Sequence, residues 1–219
     1  PDTPTPTVLF IGGDLDDGGT PTGPLAGVVA RVAAAGLADR IEVLFQDYRT
    51  LEGQYDRLVS IEMIEAVGLK FIDTYFRKCS SLLKPDGAMA LQSITIRDEF
   101  FAQAAKSVDF IQTHIFPGSA IPSVGFLVSS VAKCTDLKPA HIEDFGQDYA
   151  RTLRVWSDRL EANREQIPRM GYPEHLYRLW QYYFAYCEGG FREGQIGVAQ
   201  FVFTKPRATA LDPRLGGTA

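Results

Sequence analysis

The residues of this chain with the clearest capacity for chemistry are two carboxylates in the stretch SIEMIEAVG (60–68), Glu62 and Glu65. They follow YDRLVS, an apolar run typical of a strand. Carboxylates are rarely buried without a partner, so either the strand reaches the surface here or a site needs the negative charge. Because α/β enzymes place their chemistry where a parallel strand gives way to a loop, this position favours a site.

The elements that must position these carboxylates alternate along the chain. Apolar periodicity predicts strands at 7–13, 40–47, 55–63, 87–96 and 196–205. It predicts helices at 24–37, 68–83, 148–164 and 175–189, and a turn is expected at KPDG (84–87). Strands separated by helices favour an α/β fold, in which helices cover both faces of a mostly parallel sheet.

Length and composition limit the class of protein. The 219 residues suit one domain, predicted at 1–207, with 1–30 atypical and 208–219 a flexible tail. A net charge of −5 without a basic stripe argues against nucleic-acid binding. No apolar run reaches membrane-span length, and the first residues do not read as a signal peptide.

The thiols and imidazoles give no metal site. Cys79, Cys134 and Cys187 are widely spaced, which disfavours a disulfide framework or zinc site and indicates a reducing, cytoplasmic compartment. The three histidines have no partners at metal-binding spacing, and a structural role is favoured for each.

Several stretches resemble one enzyme family. They are RVAAAGLADRIEVLFQDYR, YDRLVSIEMIEAVG, LLKPDGAMALQSITI, IFPGSAIPS, HIEDFGQDYARTL and YYFAYCEGGFREGQIG. In this order, over residues 31–207, they are similar to the cyclopropane-fatty-acyl-phospholipid synthases, relatives of the mycolic acid cyclopropane synthases. The resemblance implies the Rossmann-like class I methyltransferase fold, with a seven-stranded sheet and an antiparallel last strand at 196–205. It also implies S-adenosylmethionine as cofactor.

The resemblance assigns the cofactor to two places. Gly12 and Gly13 end the first strand, where the family has a glycine-rich turn. Asp47 and Tyr48 match the loop beside the adenine: the carboxylate can accept from the adenine amino group and the ring can cover its face. The alternative for this pair is a helix cap and a surface aromatic residue. The helix and second strand that the family places before residue 31 have no counterpart. Two alternatives stay open: the N-terminal part is abbreviated or altered, or segments of the protein are missing from this chain.

The resemblance assigns a bicarbonate ion, the family's base, to a catalytic pocket. Glu65 matches the glutamate that holds this ion, Tyr149 matches a tyrosine of the same pocket, and Ile61 contributes its backbone. Ile94 lines the pocket. Gln92 stands where many family members carry histidine, and an amide can donate to a bicarbonate oxygen but cannot take up a proton near neutral pH.

Two further residues, Cys187 and Glu62, have structural alternatives to a role in this pocket. Cys187 matches a cysteine near the pocket, and a small buried apolar residue is an equal alternative. Glu62 is interpreted as a capping or solvated residue, so Glu62→Gln is expected to do little. Aromatic faces from the last helices are candidates for stabilising a carbocation, with core packing as the alternative for any single ring.

Three functions follow from these patterns. The first is methylene transfer from S-adenosylmethionine to unsaturated acyl chains of phospholipids. The second is another methyl transfer, giving branched acyl chains or methylated small amines. The third is a degenerate lipid-binding protein without the cofactor. The first predicts peripheral contact with the inner face of the membrane through an apolar opening at 100–121, and a homodimer is left open.

Overall fold

The computed structural model describes residues 8–11, 24–44 and 46–208. Its strands are β1 (Val8–Ile11), β2 (Tyr55–Ile61), β3 (Leu83–Ile96), β4 (Lys138–Asp144) and β5 (Ile196–Thr204). Its helices are α1 (Pro24–Ala34), α2 (Ile64–Val67), α3 (Ile72–Ser81), α4 (Asp98–Ala104), α5 (Phe110–His114), α6 (Val124–Cys134), α7 (Gly146–Ala162), α8 (Gln166–Arg169) and α9 (Glu174–Arg192). None of these described helices is long and apolar enough to cross a membrane.

The strands form one sheet in the order β1-β2-β3-β5-β4. β1, β2 and β3 are parallel, and β5 runs antiparallel to both of its neighbours, β3 and β4. The prediction of a mostly parallel sheet with an antiparallel last strand is therefore confirmed. The resemblance implied seven strands, whereas the described residues contain five.

Alternation along the strands divides the core between the two faces of the sheet. In β5, Ala199, Phe201 and Phe203 belong to a cluster with α3 and α6, whereas Val198 belongs to one with α7 and α9. Because successive strand residues point to opposite faces, these clusters lie on opposite sides. Helices cover both faces, as predicted.

The predicted strand at 40–47 is wrong for the residues described there. Residues 41–44 and 46–47 have no strand structure, and Ile41 and Leu44 are exposed. A strand needs a neighbour to hydrogen-bond its backbone, and among the described strands β1 forms the sheet edge on this side with β2 as its only partner.

The expected turn at 84–87 is a bulge inside a longer strand. β3 begins at Leu83, and its register with β2 shifts between the pairs Tyr55–Leu83 and Arg57–Ala88. Gly87 fits this bulge because a Cβ there would lie 3.0 Å from the Lys84 carbonyl oxygen and 3.1 Å from that of Asp56. Beyond the bulge, β3 carries Gln92 and Ile94 to the end where β2 also terminates.

Candidate active site

The chain makes a sharp turn where β2 ends. Glu62 has a φ of 50° and is the one non-glycine residue with positive φ among those described. That left-handed conformation costs a residue with a side chain about 1–2 kcal/mol. The turn is held by the Glu62 N–H, which donates to the Gln92 carbonyl at 2.9 Å. It leads directly into α2, which carries Glu65.

Glu65 is held against β3 by one of its two oxygens. Its Oε1 accepts hydrogen bonds from the Ser93 hydroxyl at 2.9 Å and the Ile94 N–H at 2.6 Å. Its Oε2 is buried and has no hydrogen-bond partner among the described residues. Burial raises the pKa of the Glu65 carboxyl, the hydrogen bonds from Ser93 and Ile94 oppose that rise, and the charge of Glu62 adds to it.

Glu62 accepts a hydrogen bond on each oxygen. The Gln92 amide nitrogen donates to Oε1 at 2.8 Å, and the Tyr149 hydroxyl donates to Oε2 at 3.1 Å. The Gln92 amide oxygen in turn accepts from the Gln200 side chain at 3.0 Å. These four side chains, Gln200, Gln92, Glu62 and Tyr149, form one connected network.

This network corrects the interpretation of Glu62 as a capping or solvated residue. Gln92 and Tyr149 donate to Glu62, whereas the sequence analysis placed both beside Glu65. The sheet register explains the difference for Gln92. Ile61, the last residue of β2, is paired with Gln92 on β3, so Glu62, the next residue along the chain, lies beside Gln92. Glu65 reaches β3 farther along, at Ile94.

Tyr149 connects the carboxylates to an aromatic wall between α7 and α9. Its ring lies 5.0 Å from that of Phe191 and 6.4 Å, edge to face, from that of Trp156. Trp180, Tyr183 and Phe184 continue the wall through ring contacts. Burial, and secondarily the Glu62 charge, raises the pKa of Tyr149, so its hydroxyl keeps its proton at neutral pH.

The other predicted pocket residues, Ile94, Cys187 and Ile61, differ in how far they are buried. Ile94 packs against the core cluster of α7 and α9, and Cys187 is buried in it. Burial raises the pKa of the Cys187 thiol to about 12, so it is neutral near physiological pH and fits the apolar alternative. The Ile61 side chain is 53% exposed at the end of β2. The catalytic roles of these residues stay predictions.

The predicted adenine loop has the shape of a capped turn. Asp47 caps the 3₁₀ turn Tyr48–Thr50 by accepting from the Arg49 N–H at 2.9 Å. The Arg49 guanidinium also donates to both carboxylate oxygens, which lowers the pKa of Asp47 to about 2. An adenine amino group would therefore share this acceptor with Arg49. Tyr48 packs edge to face on Tyr75 at 5.5 Å.

The remaining cofactor prediction, Gly12 and Gly13, lies outside the described residues, as does most of the predicted tail. Within the described residues, no group of three His, Cys, Asp or Glu side chains could hold a metal ion. Sequence reasoning missed Ser93 and Gln200 as supporting residues. Strand alternation from Gln92 could have indicated that Ser93 faces the other side of β3, but not that it reaches Glu65.

The sheet, with parallel strands beside an antiparallel last strand, is that of a Rossmann-like domain. Its match to a solved cyclopropane synthase assigns it to the class I methyltransferase type. The family model described as mycolic acid cyclopropane synthetase matches residues 25–201. The chain therefore belongs to the mycolic acid cyclopropane synthetase family.

Relatives with assigned names are consistent with this membership. Tuberculostearic acid methyltransferase UfaA1 of Mycobacterium tuberculosis is 37% identical over 175 residues, which are 80% of this chain and 41% of that protein. Cyclopropane-fatty-acyl-phospholipid synthase of Escherichia coli is 36% identical over 166 residues, 75% of this chain and 41% of that protein. The chain thus spans about two-fifths of the length of these relatives.

A solved structure shows the same fold. Mycolic acid cyclopropane synthase CmaA1, complexed with SAH and CTAB, has a TM-score of 0.73 and 27% identity, and covers 92% of this chain and 79% of its own. The cyclopropane synthase MmaA2 of Mycobacterium tuberculosis, with a TM-score of 0.71 and 24% identity over 92% of this chain and 79% of its own, agrees in fold.

Proposed function

We propose that this chain belongs to an enzyme that transfers a methyl group from S-adenosylmethionine to the double bond of unsaturated phospholipid acyl chains, and closes a cyclopropane ring. The observation that carries the proposal is the hydrogen-bonded network of Glu62, Gln92 and Tyr149 where parallel strands end, beside an aromatic wall. Family membership supports the same reaction class.

The proposed cofactor contact among the described residues is the loop before β2. Asp47 and Tyr48 lie in the loop before β2, where a carboxylate and a ring can contact an adenine. S-adenosylmethionine, when bound, supplies an electrophilic methyl group. The sharing of Asp47 with Arg49 predicts that the adenine contact loosens that ion pair. Gly12 and Gly13, which follow β1 in sequence and lie outside the described residues, remain predicted cofactor contacts.

The residues of the wall suit the next stage of the reaction. Methyl transfer to an alkene leaves a positive charge on the acyl chain, and aromatic faces stabilise a cation without capturing it. Rings packed around the acyl chain would also keep away water, which would otherwise add to the cation. Ring closure then requires that a proton leave the transferred methyl carbon.

A bicarbonate ion held by Glu65 is the base that the resemblance predicts. The buried Oε2 of Glu65, which has no partner among the described residues, supports that prediction because a protonated ion could donate to it. The neighbouring Glu62 carboxylate counts against it, since like charges repel. Because these two observations oppose each other, the identity of the base is independent of the proposed methyl transfer.

A second function differs only in the fate of the cation. Loss of a proton from elsewhere on the chain would give a methyl- or methylene-bearing acyl chain, and the 37% identity to a tuberculostearic acid methyltransferase favours considering this product. Small-amine methylation has less support, because the relatives of 36–37% identity are named for reactions of acyl chains. A degenerate lipid-binding protein remains the alternative in which the cofactor does not bind.

The test combines turnover with binding. The full chain is incubated with S-adenosylmethionine and vesicles of monounsaturated phospholipid, and the acyl chains are analysed by gas chromatography and mass spectrometry. Cyclopropane products support the main proposal, and branched products support the second function. Calorimetry with S-adenosylhomocysteine identifies the degenerate alternative, which predicts no heat of binding while vesicle binding persists.

A further inference from the structure

The donors around Glu62 are the ones that a bound oxyanion would need. Tyr149 has a single hydroxyl proton, and it points to Glu62 Oε2. Gln92 gives one amide proton to Glu62 Oε1, and its amide oxygen is engaged by Gln200. The Glu62 carboxylate therefore occupies the position in which Tyr149 and Gln92 would bind a planar oxyanion.

A diffusible anion would be poorly accommodated in this arrangement. It would lie near two carboxylates, Glu62 and Glu65, and repulsion between like charges grows in a partly buried site. Tyr149 could donate to it only by releasing Glu62. The backbone adds a second argument: Glu62 is kept in a left-handed conformation that glycine would adopt without strain. Because strained backbone clusters at functional sites, this conformation favours a functional role for the Glu62 side chain.

We propose that the Glu62 carboxylate is a built-in replacement for a diffusible oxyanion and accepts the proton lost in the last step. A C–H bond of the transferred methyl breaks, its electron pair forms the new carbon–carbon bond to the cationic carbon, and the proton goes to a Glu62 oxygen. The inference rests on the proposed function for its reaction. It differs from that function in predicting that no bicarbonate is needed.

The neighbouring groups suit this role less well. Gln92 cannot take up a proton near neutral pH. Glu65 has one oxygen engaged by Ser93 and Ile94 and the other buried. Glu62 is half-buried at the strand end, and each of its oxygens, accepting one hydrogen bond, keeps a further lone pair.

The experiment is chemical rescue of Glu62→Gly. Glycine suits the backbone at this position and leaves Tyr149 and Gln92 free to bind an ion. In carbon-dioxide-free buffer, wild-type turnover should be unchanged by added bicarbonate. Glu62→Gly should lose about 100-fold or more, the usual contribution of a positioned base, and should recover with bicarbonate. Glu62→Gln, which fills the space without accepting a proton, should lose as much and not recover.

Binding provides a readout that does not need turnover. A calorimetric titration with bicarbonate should show binding to Glu62→Gly and none to wild type. The control is Glu52→Gln, because Glu52 is exposed and precedes β2. This variant should behave as wild type. Bicarbonate binding to wild type, or full activity of Glu62→Gly without bicarbonate, would overturn the inference. If no variant turns over any acyl chain, the proposed function fails, and the binding titration still decides whether Glu62 occupies the place of a bound anion.

Discussion

At the scale of single residues, two glutamates three positions apart have different environments. Glu62 is surrounded by side-chain donors, whereas Glu65 is fixed by a strand backbone and a serine hydroxyl. Sequence alone could identify both as candidates, because both follow an apolar strand. It could not assign their partners, since these depend on the left-handed turn at Glu62 and on β3 and α7, which are distant in the chain.

Glu65→Gln should lower turnover by roughly one to two decades. The substitution keeps the shape of the side chain but removes a charge-assisted acceptor, and such a hydrogen bond contributes about 1.5–3 kcal/mol. The measurement is product formation on unsaturated phospholipid vesicles at saturating cofactor, with Glu52→Gln as the control. Activity equal to wild type would mean that Glu65 has no part in the chemistry.

The Glu65 carboxyl should also make the free energy of unfolding depend on pH. Its folded-state pKa is raised above the ordinary value of 4.5, so between these two pKa values the native state binds more protons than the unfolded state. Stability contributed by this group is therefore present at low pH and is lost as pH rises above about 4.5.

The comparison is urea unfolding of wild type and Glu65→Gln across a pH series starting at 4. The free energy of unfolding of wild type, relative to the variant, should decrease as pH rises through the weakly acidic range. A difference that is constant with pH, or that increases, would show that burial does not control this carboxyl.

At the scale of elements, the strands with clear apolar patterning were predictable, including the edge strand β1, and the exposed edge strand β4 was not. β3 and β5 carry clear apolar alternation, and both lie in the middle of the sheet. β4 was missed because all seven of its residues are exposed, which leaves no periodicity to detect. The segment at 41–44 has strand-like composition but no described strand beside it. Local pattern determines an element only when the tertiary structure supplies its neighbour.

Packing of α7 against α9 includes a nearly buried carboxylate. Glu188 on α9 is 3% exposed and pairs with Arg154 of α7 at 2.9 Å and with Arg192 at 2.7 Å. Glu188→Gln should lower the free energy of unfolding by about 1–3 kcal/mol, because a buried carboxylate loses charge-assisted bonds to two arginines.

The matched control lies on the same helix. Glu174 is exposed and pairs with Arg164 and Arg178, so Glu174→Gln should change stability by less than about 1 kcal/mol. Thermal and urea unfolding of the two variants would be measured together. Equal effects would show that burial of Glu188 contributes nothing beyond a surface ion pair.

At the scale of the whole molecule, net charge and apolar exposure both favour membrane contact through apolar residues rather than through charge. The chain carries a net charge of −5. Val108 and Phe116, in the segment predicted to form the apolar opening, are 76% and 49% exposed. We expect vesicle binding through this surface, and therefore little change in binding when salt is raised.

Co-sedimentation with zwitterionic phospholipid vesicles, at low and at moderate salt, tests this expectation. Phe116→Ser should weaken binding at both salt concentrations, whereas Phe71→Ser, a similarly exposed ring outside the segment, should not. Release of wild type by moderate salt would identify the contact as electrostatic instead.

The position of β5 also has a consequence for how the chain folds. β5 separates β3 from β4 in the sheet, although it follows both in sequence and begins at Ile196, after the end of β3 at Ile96. During synthesis, β3 and β4 would leave the ribosome with edges that have no partner until this strand follows. Such long-range pairing slows folding and leaves open edges exposed to aggregation. The nascent domain would therefore expose these strand edges until its last described strand inserts.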